Sequence, residues 1–213
     1  MKNLLPLVML ILVAACVYVL FFWQPASQLQ DKFTSRQQPG GGDFTLQSLA
    51  GPVLLKDFRG KVVLLYFGYT MCPDICPTNL AMMSNALMQM DNPVSESSGS
   101  EPAMPEENEL SKVQSIFISV DPQRDTMQRL AEYTQYFHES ILGVSGTPEV
   151  VREIADRYGA AYQKVVQDSA TNYVVDHSSE TYVIDPQGKL VERLPHGALP
   201  AEILAAVRKY TEK

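Results

Sequence analysis

Cysteine is scarce in this chain: three residues in 213, at positions 16, 72 and 76, and the first lies inside an apolar run. One close pair is left for the polar part of the chain, which excludes a structural disulfide framework. The pair Cys72 and Cys76 therefore reads as an isolated disulfide, a redox couple or a metal-binding pair, and spacing alone leaves these open. Clustered Lys and Arg are also missing. The net charge is -7, and the stretch from Asp91 to Glu109 holds six acids with no Lys or Arg, leaving 18 acids against 17 bases elsewhere. The acidity thus belongs to one segment, and a basic nucleic-acid-binding surface is unsupported. No internal repeat is present, and the single Trp, at 23, lies far from the cysteine pair. At 46% hydrophobic and 19% charged, the composition fits a packed domain and argues against both general disorder and a multi-span membrane protein.

What the chain does have is one long apolar run. From Leu4 to Trp23 there are 20 consecutive uncharged residues, about the roughly 20 that a bilayer-spanning helix needs. Residues 1–23 are expected to form a transmembrane anchor, with Phe21, Phe22 and Trp23 at the interface. Lys2 and the terminal amine precede the run and place the N-terminus in the cytoplasm, so the rest of the chain faces the periplasm. A cleaved signal or a lipid-attachment box at Val13-Ala14-Ala15-Cys16 are the competing readings. The run continues through Val17 to Trp23, longer than the h-region of a cleaved signal, of about 7 to 15 residues. No Arg-rich, acid-poor transit segment comes first, which fits a bacterial inner membrane, single-pass, better than a mitochondrion. Residues 24–42 turn polar and end in Gly40-Gly41-Gly42, the composition of a flexible linker. The soluble domain is expected over 43–213, interrupted by an acidic, Ser- and Pro-rich disordered loop at 91–110.

Within that domain Phe44 to Leu46 and Val53 to Leu55 read as short strands. Lys61 to Gly68 reads as a central strand buried on both faces. Leu80, Met83, Leu87 and Met90 recur at three and four residues, the stripe of an amphipathic helix. Val113 to Val120 is the next strand, and a helix starting at Asp125-Thr126 carries Leu130, Tyr133 and Phe137 on one face. Thr147 as cap, Pro148 at the first position and Gly159 past the end frame a third helix. Ala161 to Val166, Glu180 to Ile184 and Leu190 to Leu194 are further strands, and Pro200 opens a last helix to about Tyr210. The order implies an α/β domain with a mixed sheet and helices on both faces.

Cys72-Pro73-Asp74-Ile75-Cys76-Pro77 joins the buried strand to the helix expected from about Pro77, the end of a sheet where ligand and redox sites collect. The positive end of a helix dipole favours thiolate there, and a spacing of four sets both sulfurs on one face of a helical turn. Two thiolates and an imidazole suit Cu(I) and Cu(II) alike. Of the three histidines, His138 ends a helix and His196 lies in a Pro- and Gly-flanked loop. His177 remains, in a loop before the strand at Glu180, within reach of the cysteines if that strand neighbours the one ending at Gly68. A histidine in a loop is also an ordinary surface residue, and Met71, Met82 and Met88 are packing residues or thioether ligands. Asp74 and Asp176 read as turn and surface residues.

The segments YFGYTMCPDICPTNL, SVDPQRDT, GTPEVVREIADRYGAAYQKV and VDHSSETYVIDPQGKL resemble the Sco/SenC family of thioredoxin-fold copper proteins, over most of the chain from Asp43 onward. The resemblance implies a thioredoxin-like sheet flanked by helices and preceded by one transmembrane helix. It implies Cys72, Cys76 and His177 as ligands of one copper ion. It also implies a metallochaperone rather than an enzyme, helping to assemble the binuclear copper site of cytochrome c oxidase subunit II. A periplasmic copper donor or a thiol-disulfide partner is a further expected partner. The segment from Asp91 to Glu109 departs from the family as an insertion. The alternative is a thiol-disulfide oxidoreductase in which Cys72 and Cys76 cycle through a disulfide and reduce the acceptor's cysteines. Three residues between the cysteines, where thioredoxin-type enzymes have two, favour the carrier.

Overall fold

The computed structural model describes residues 9, 18, 40–91, 109–169 and 172–211. The chain divides into two units, Met1–Gln38 and Pro39–Lys213. Of the first, Met9 and Tyr18 are described, both helical and exposed. The expected anchor otherwise lies outside the described residues, as do most of the expected linker and residues 92–108 of the acidic segment. Among the described residues no helix is long and apolar enough to cross a membrane.

The second unit is built on a five-stranded mixed sheet. Its elements are β1 (Thr45–Ser48), β2 (Gly51–Leu54), β3 (Val62–Gly68), α1 (Ile75–Asp91), β4 (Val113–Ser119), α2 (Met127–Phe137), β5 (Ile141–Val144), α3 (Pro148–Tyr158), β6 (Tyr162–Ser169), β7 (Asn172–His177), β8 (Thr181–Ile184), β9 (Leu190–Leu194) and α4 (Pro200–Thr211). The sheet runs β5-β4-β3-β8-β9. β3 is parallel to β4 and β4 to β5, whereas β8 runs antiparallel to both β3 and β9. The pairs β1-β2 and β6-β7 form separate two-stranded ribbons. This is the thioredoxin-like α/β arrangement expected from the sequence.

All seven residues of β3 are buried, which explains its unbroken apolar sequence: a central strand covered on both faces has no polar side to show. Alternation along the strand still sorts the side chains. Val63, Leu65 and Phe67 pack with the β1-β2 ribbon and with Val151, Ile154 and Tyr158 of α3. Val62, Leu64 and Tyr66 pack on the other side with α1, α2 and α4. Thr147 caps α3, its hydroxyl accepting from the N–H of Val150 at 3.4 Å, and Gly159 ends that helix at φ 67°, in the left-handed region that glycine tolerates. Two elements escaped the sequence reading. β5 is only four residues long, and β7 pairs outside the main sheet, where neither alternation nor an apolar run marks it strongly.

Candidate metal centre

α1 carries Cys76, the second thiol of the candidate site. It begins at Ile75, two residues before the expected start, so Pro77 is its third residue rather than its first. A proline is tolerated there because the leading N–H groups of a helix have no intrahelical acceptor. Cys76 therefore lies inside the first turn rather than at the cap. The stripe Leu80, Met83, Leu87 and Met90 is wholly buried, and Cys76, one turn ahead of Leu80, shares its burial. Gly68, at the end of β3, makes room for the sulfur: a methyl at that position would lie 2.6 Å from Cys76 Sγ. Cys72 stands ahead of the helix and is half-buried. The turn leading to it is clamped by Asp125, which is 1% exposed. Asp125 accepts from the Thr70 N–H at 3.0 Å, from the Thr70 hydroxyl at 2.6 Å and from the Ser119 hydroxyl at 2.6 Å.

His177 arrives from the far end of the sequence. It is the last residue of β7, opposite Tyr162 of β6, and not a loop residue as the sequence reading had it. The expected neighbourhood is nevertheless present: β8, which follows, pairs with β3. Two bonds tie this corner to the cysteine side. The Tyr69 hydroxyl accepts from the Val175 N–H at 3.3 Å, and Asn79 Nδ2 donates to the Ser179 carbonyl at 2.5 Å. His177 Nδ1 lies 2.9 Å from the carbonyl oxygen of Ser178. A carbonyl can only accept, so Nδ1 donates to it, and Nε2 is the ring nitrogen turned toward the two sulfurs. The rings of Tyr66 and Tyr69 stand edge-to-face on the imidazole, with centroids at 6.1 and 5.8 Å.

His177 Nε2 lies 3.2 Å from Cys76 Sγ and 3.8 Å from Cys72 Sγ, and the three donor atoms fall within 4.8 Å of one another. Donors at about 2.0–2.3 Å from a shared metal in a trigonal plane stand about 3.5–4.0 Å apart, so this set fits one ion with small adjustments. The chemistry fits as well, since two soft sulfurs and one imidazole make a site that can hold copper. Among the described residues Cys72 and Cys76 are free thiols. Cys72 is held far below the ordinary thiol value, at about 3. The Cys76 thiol is the main cause, opposed by burial, and His177 and the backbone N–H groups of Cys76 and Asp74 add to it. Cys76 is pushed up, by burial first and then by the adjacent Cys72. The pair thus holds one proton, on the buried sulfur. A cleft of about 420 Å³, lined by Tyr69, Pro73, Ile75 and Val174 among others, opens onto Cys72 and His177. Entry is from the Cys72 side, because Cys76 is sealed behind it.

The other residues singled out in the sequence stand apart. His138 caps α2 and meets the Ser140 hydroxyl at 2.8 Å. His196 meets Asn79 Oδ1 at 2.9 Å. Met83 and Met90 are core residues, Met82 is partly buried against the core, and Met71 and Met88 are exposed. Asp74 and Asp176 are exposed, as expected. Sequence reasoning missed Tyr66, Tyr69, Asn79 and Asp125. Asn79 had a visible signal, a polar residue one turn beyond Cys76 on the buried side of α1. Asp125 had its place at a helix start and within the segment SVDPQRDT.

The sequence model of the SCO1/SenC family matches residues 32–212. The chain belongs to the SCO1/SenC family. Its relatives include the mitochondrial SCO2 homolog of Bos taurus, 37% identical over 172 residues, which are 80% of this chain and 59% of that protein. The chain thus spans about three-fifths of the length of the curated relatives it matches. Among solved structures, copper-bound ScoI of Bradyrhizobium japonicum is 33% identical with a TM-score of 0.67, covering 80% of this chain and 98% of that one. Copper-bound ScoI of Arabidopsis thaliana is 32% identical with a TM-score of 0.66, covering 81% and 98%.

Proposed function

We propose that this SCO1/SenC protein is a membrane-anchored copper metallochaperone that binds one copper ion through Cys72, Cys76 and His177 and helps assemble the binuclear copper site of cytochrome c oxidase subunit II. The observation that carries the reading is the convergence of those three donors, from positions about 100 residues apart, to within 4.8 Å. Relatives with copper bound support it. Residues 1–23 serve as the anchor, 24–42 as the linker and 43–213 as the domain, displayed in the periplasm, with 91–110 an acidic excursion. Cys72, half-buried and ionised beside an open cleft, is the ligand an acceptor reaches first. Cys76 and His177 hold the ion from behind, and transfer proceeds by stepwise ligand exchange as acceptor thiols and imidazoles replace them. A periplasmic copper donor fills the site by the same steps in reverse.

Thiol-disulfide exchange is the second reading, and the ionised, accessible Cys72 favours it. A thiolate is the attacking species in exchange, and a buried thiol one turn away can resolve the mixed disulfide. His177 separates the two readings, since a copper site needs it as a ligand and disulfide exchange does not. In the full-length chain, His177→Ala is expected to abolish the thiolate-to-Cu(II) charge-transfer band while leaving both thiols titratable. A wild-type chain that binds no copper, or an unchanged band in His177→Ala, overturns the three-ligand site.

A further inference from the structure

One polar group beside the thiol pair has no hydrogen-bond partner among the described residues. Tyr66 is 0% exposed, and its hydroxyl is buried without a hydrogen-bond partner among the described residues. It shares a face of β3 with Gly68, against which Cys76 Sγ is packed, and its ring stands edge-on to His177. The hydroxyl lies within interaction range of Cys76 and Asn79. A phenol O–H can donate, and nothing among the described residues accepts from this one. Asn79 Oδ1 is already engaged by His196 and by the Gly197 N–H.

We propose that Tyr66 is the outer hydrogen-bond donor of the copper site, giving its O–H to Cys76 Sγ when that sulfur ligates the ion, and that this bond biases the bound ion toward Cu(I). The inference rests on the copper-binding reading above. A cysteine ligates a metal as the thiolate, so the ligating sulfur would offer the Tyr66 hydroxyl the acceptor it lacks among the described residues. A hydrogen bond to a thiolate withdraws electron density from sulfur and weakens its donation to the metal. Cu(II) depends on that donation more than Cu(I), and hydrogen bonding around a cysteine sulfur is an established means of tuning copper potentials. The assignment gives β3 a double role, since Gly68 admits the sulfur and Tyr66, two residues earlier, sets its donor strength.

The test is Tyr66→Phe in the full-length chain, loaded with Cu(I) or Cu(II) alongside wild type. Removal of this outer donor is expected to shift the ratio of Cu(I) to Cu(II) affinity about tenfold toward Cu(II). For a one-electron couple that is a potential lower by about 59 mV. The thiolate-to-Cu(II) charge-transfer band is expected to move to longer wavelength. The copper-free variant is expected to unfold at the same urea concentration as wild type or a higher one, because the lost oxygen had no partner. An unchanged band and potential overturn the inference alone. A copper-free variant less stable than wild type also overturns it, because the hydroxyl would then already be engaged. A wild-type chain that takes up no copper overturns the copper reading itself, a result separable from the other two.

Discussion

Replacing Gly68 by alanine tests how rigidly the fold holds Cys76. The added methyl would lie 2.6 Å from Cys76 Sγ and 2.9 Å from the nearest atom of the Phe117 ring. Non-bonded heavy atoms rest about 3.5–4.0 Å apart, so the sulfur must retreat by about 1 Å. Behind it Leu80 and Met83 are fully buried and leave no slack. Overpacking of this kind costs about 1–3 kcal/mol, offset by about 0.4–1 kcal/mol because alanine restricts the unfolded chain. The copper-free protein is thus expected to lose about 1–2 kcal/mol in urea unfolding. A misplaced ligand atom is expected to lower copper affinity by about 10- to 100-fold, the range seen when the support of a metal ligand is removed. Competition against a Cu(I) chelator measures this. Gly143→Ala is the control. Its methyl would meet the Leu130 carbonyl oxygen at 2.8 Å, on the opposite side of β4, and should cost stability without changing the affinity of folded molecules. If Gly68→Ala is destabilised but binds copper as wild type does, the sulfur is free to move and the account of its placement is wrong.

Proton release follows from the shared proton of the pair. With Cys72 already ionised and Cys76 not, copper binding at pH 7.5 should release about one proton from the thiols, where two ordinary thiols of pKa about 8.5 would release about 1.8. Apparent affinity should accordingly rise about tenfold per pH unit through neutrality, as measured in weakly buffered calorimetry, and a release near two refutes the assignment. Asn79→Ala should strand the Ser179 carbonyl, the Gly197 N–H and His196 Nδ1. That loss is worth about 1–3 kcal/mol in thermal or urea unfolding. The His177 corner should loosen with it and copper affinity should fall, so a variant within about 0.5 kcal/mol of wild type, the size of an ordinary surface substitution, speaks against the tie.

Much of the site was legible before any tertiary contact. The recurrence of Leu80, Met83, Leu87 and Met90 marked the buried face of α1, because a helix repeats its face every three to four residues. The unbroken apolar run to Gly68 marked the strand whose end carries the thiol pair. Thr147, Pro148 and Gly159 framed α3 to the residue, since caps act through local geometry alone. Helix onset at Ile75 was less legible, because Pro77 fits the third position as well as the first.

What the sequence could not decide is what meets what across 100 residues. His177 joins the thiols because β8 pairs antiparallel with β3 and because the β6-β7 ribbon folds back over the same sheet end. Strand pairing depends on partners distant in the chain and leaves no local periodicity to read. The same holds for Tyr66 and Asn79, whose polar groups gain meaning only from what surrounds them. Local chemistry determined a thiol pair on a strand-to-helix turn, and the long-range register of the sheet made it a three-donor site.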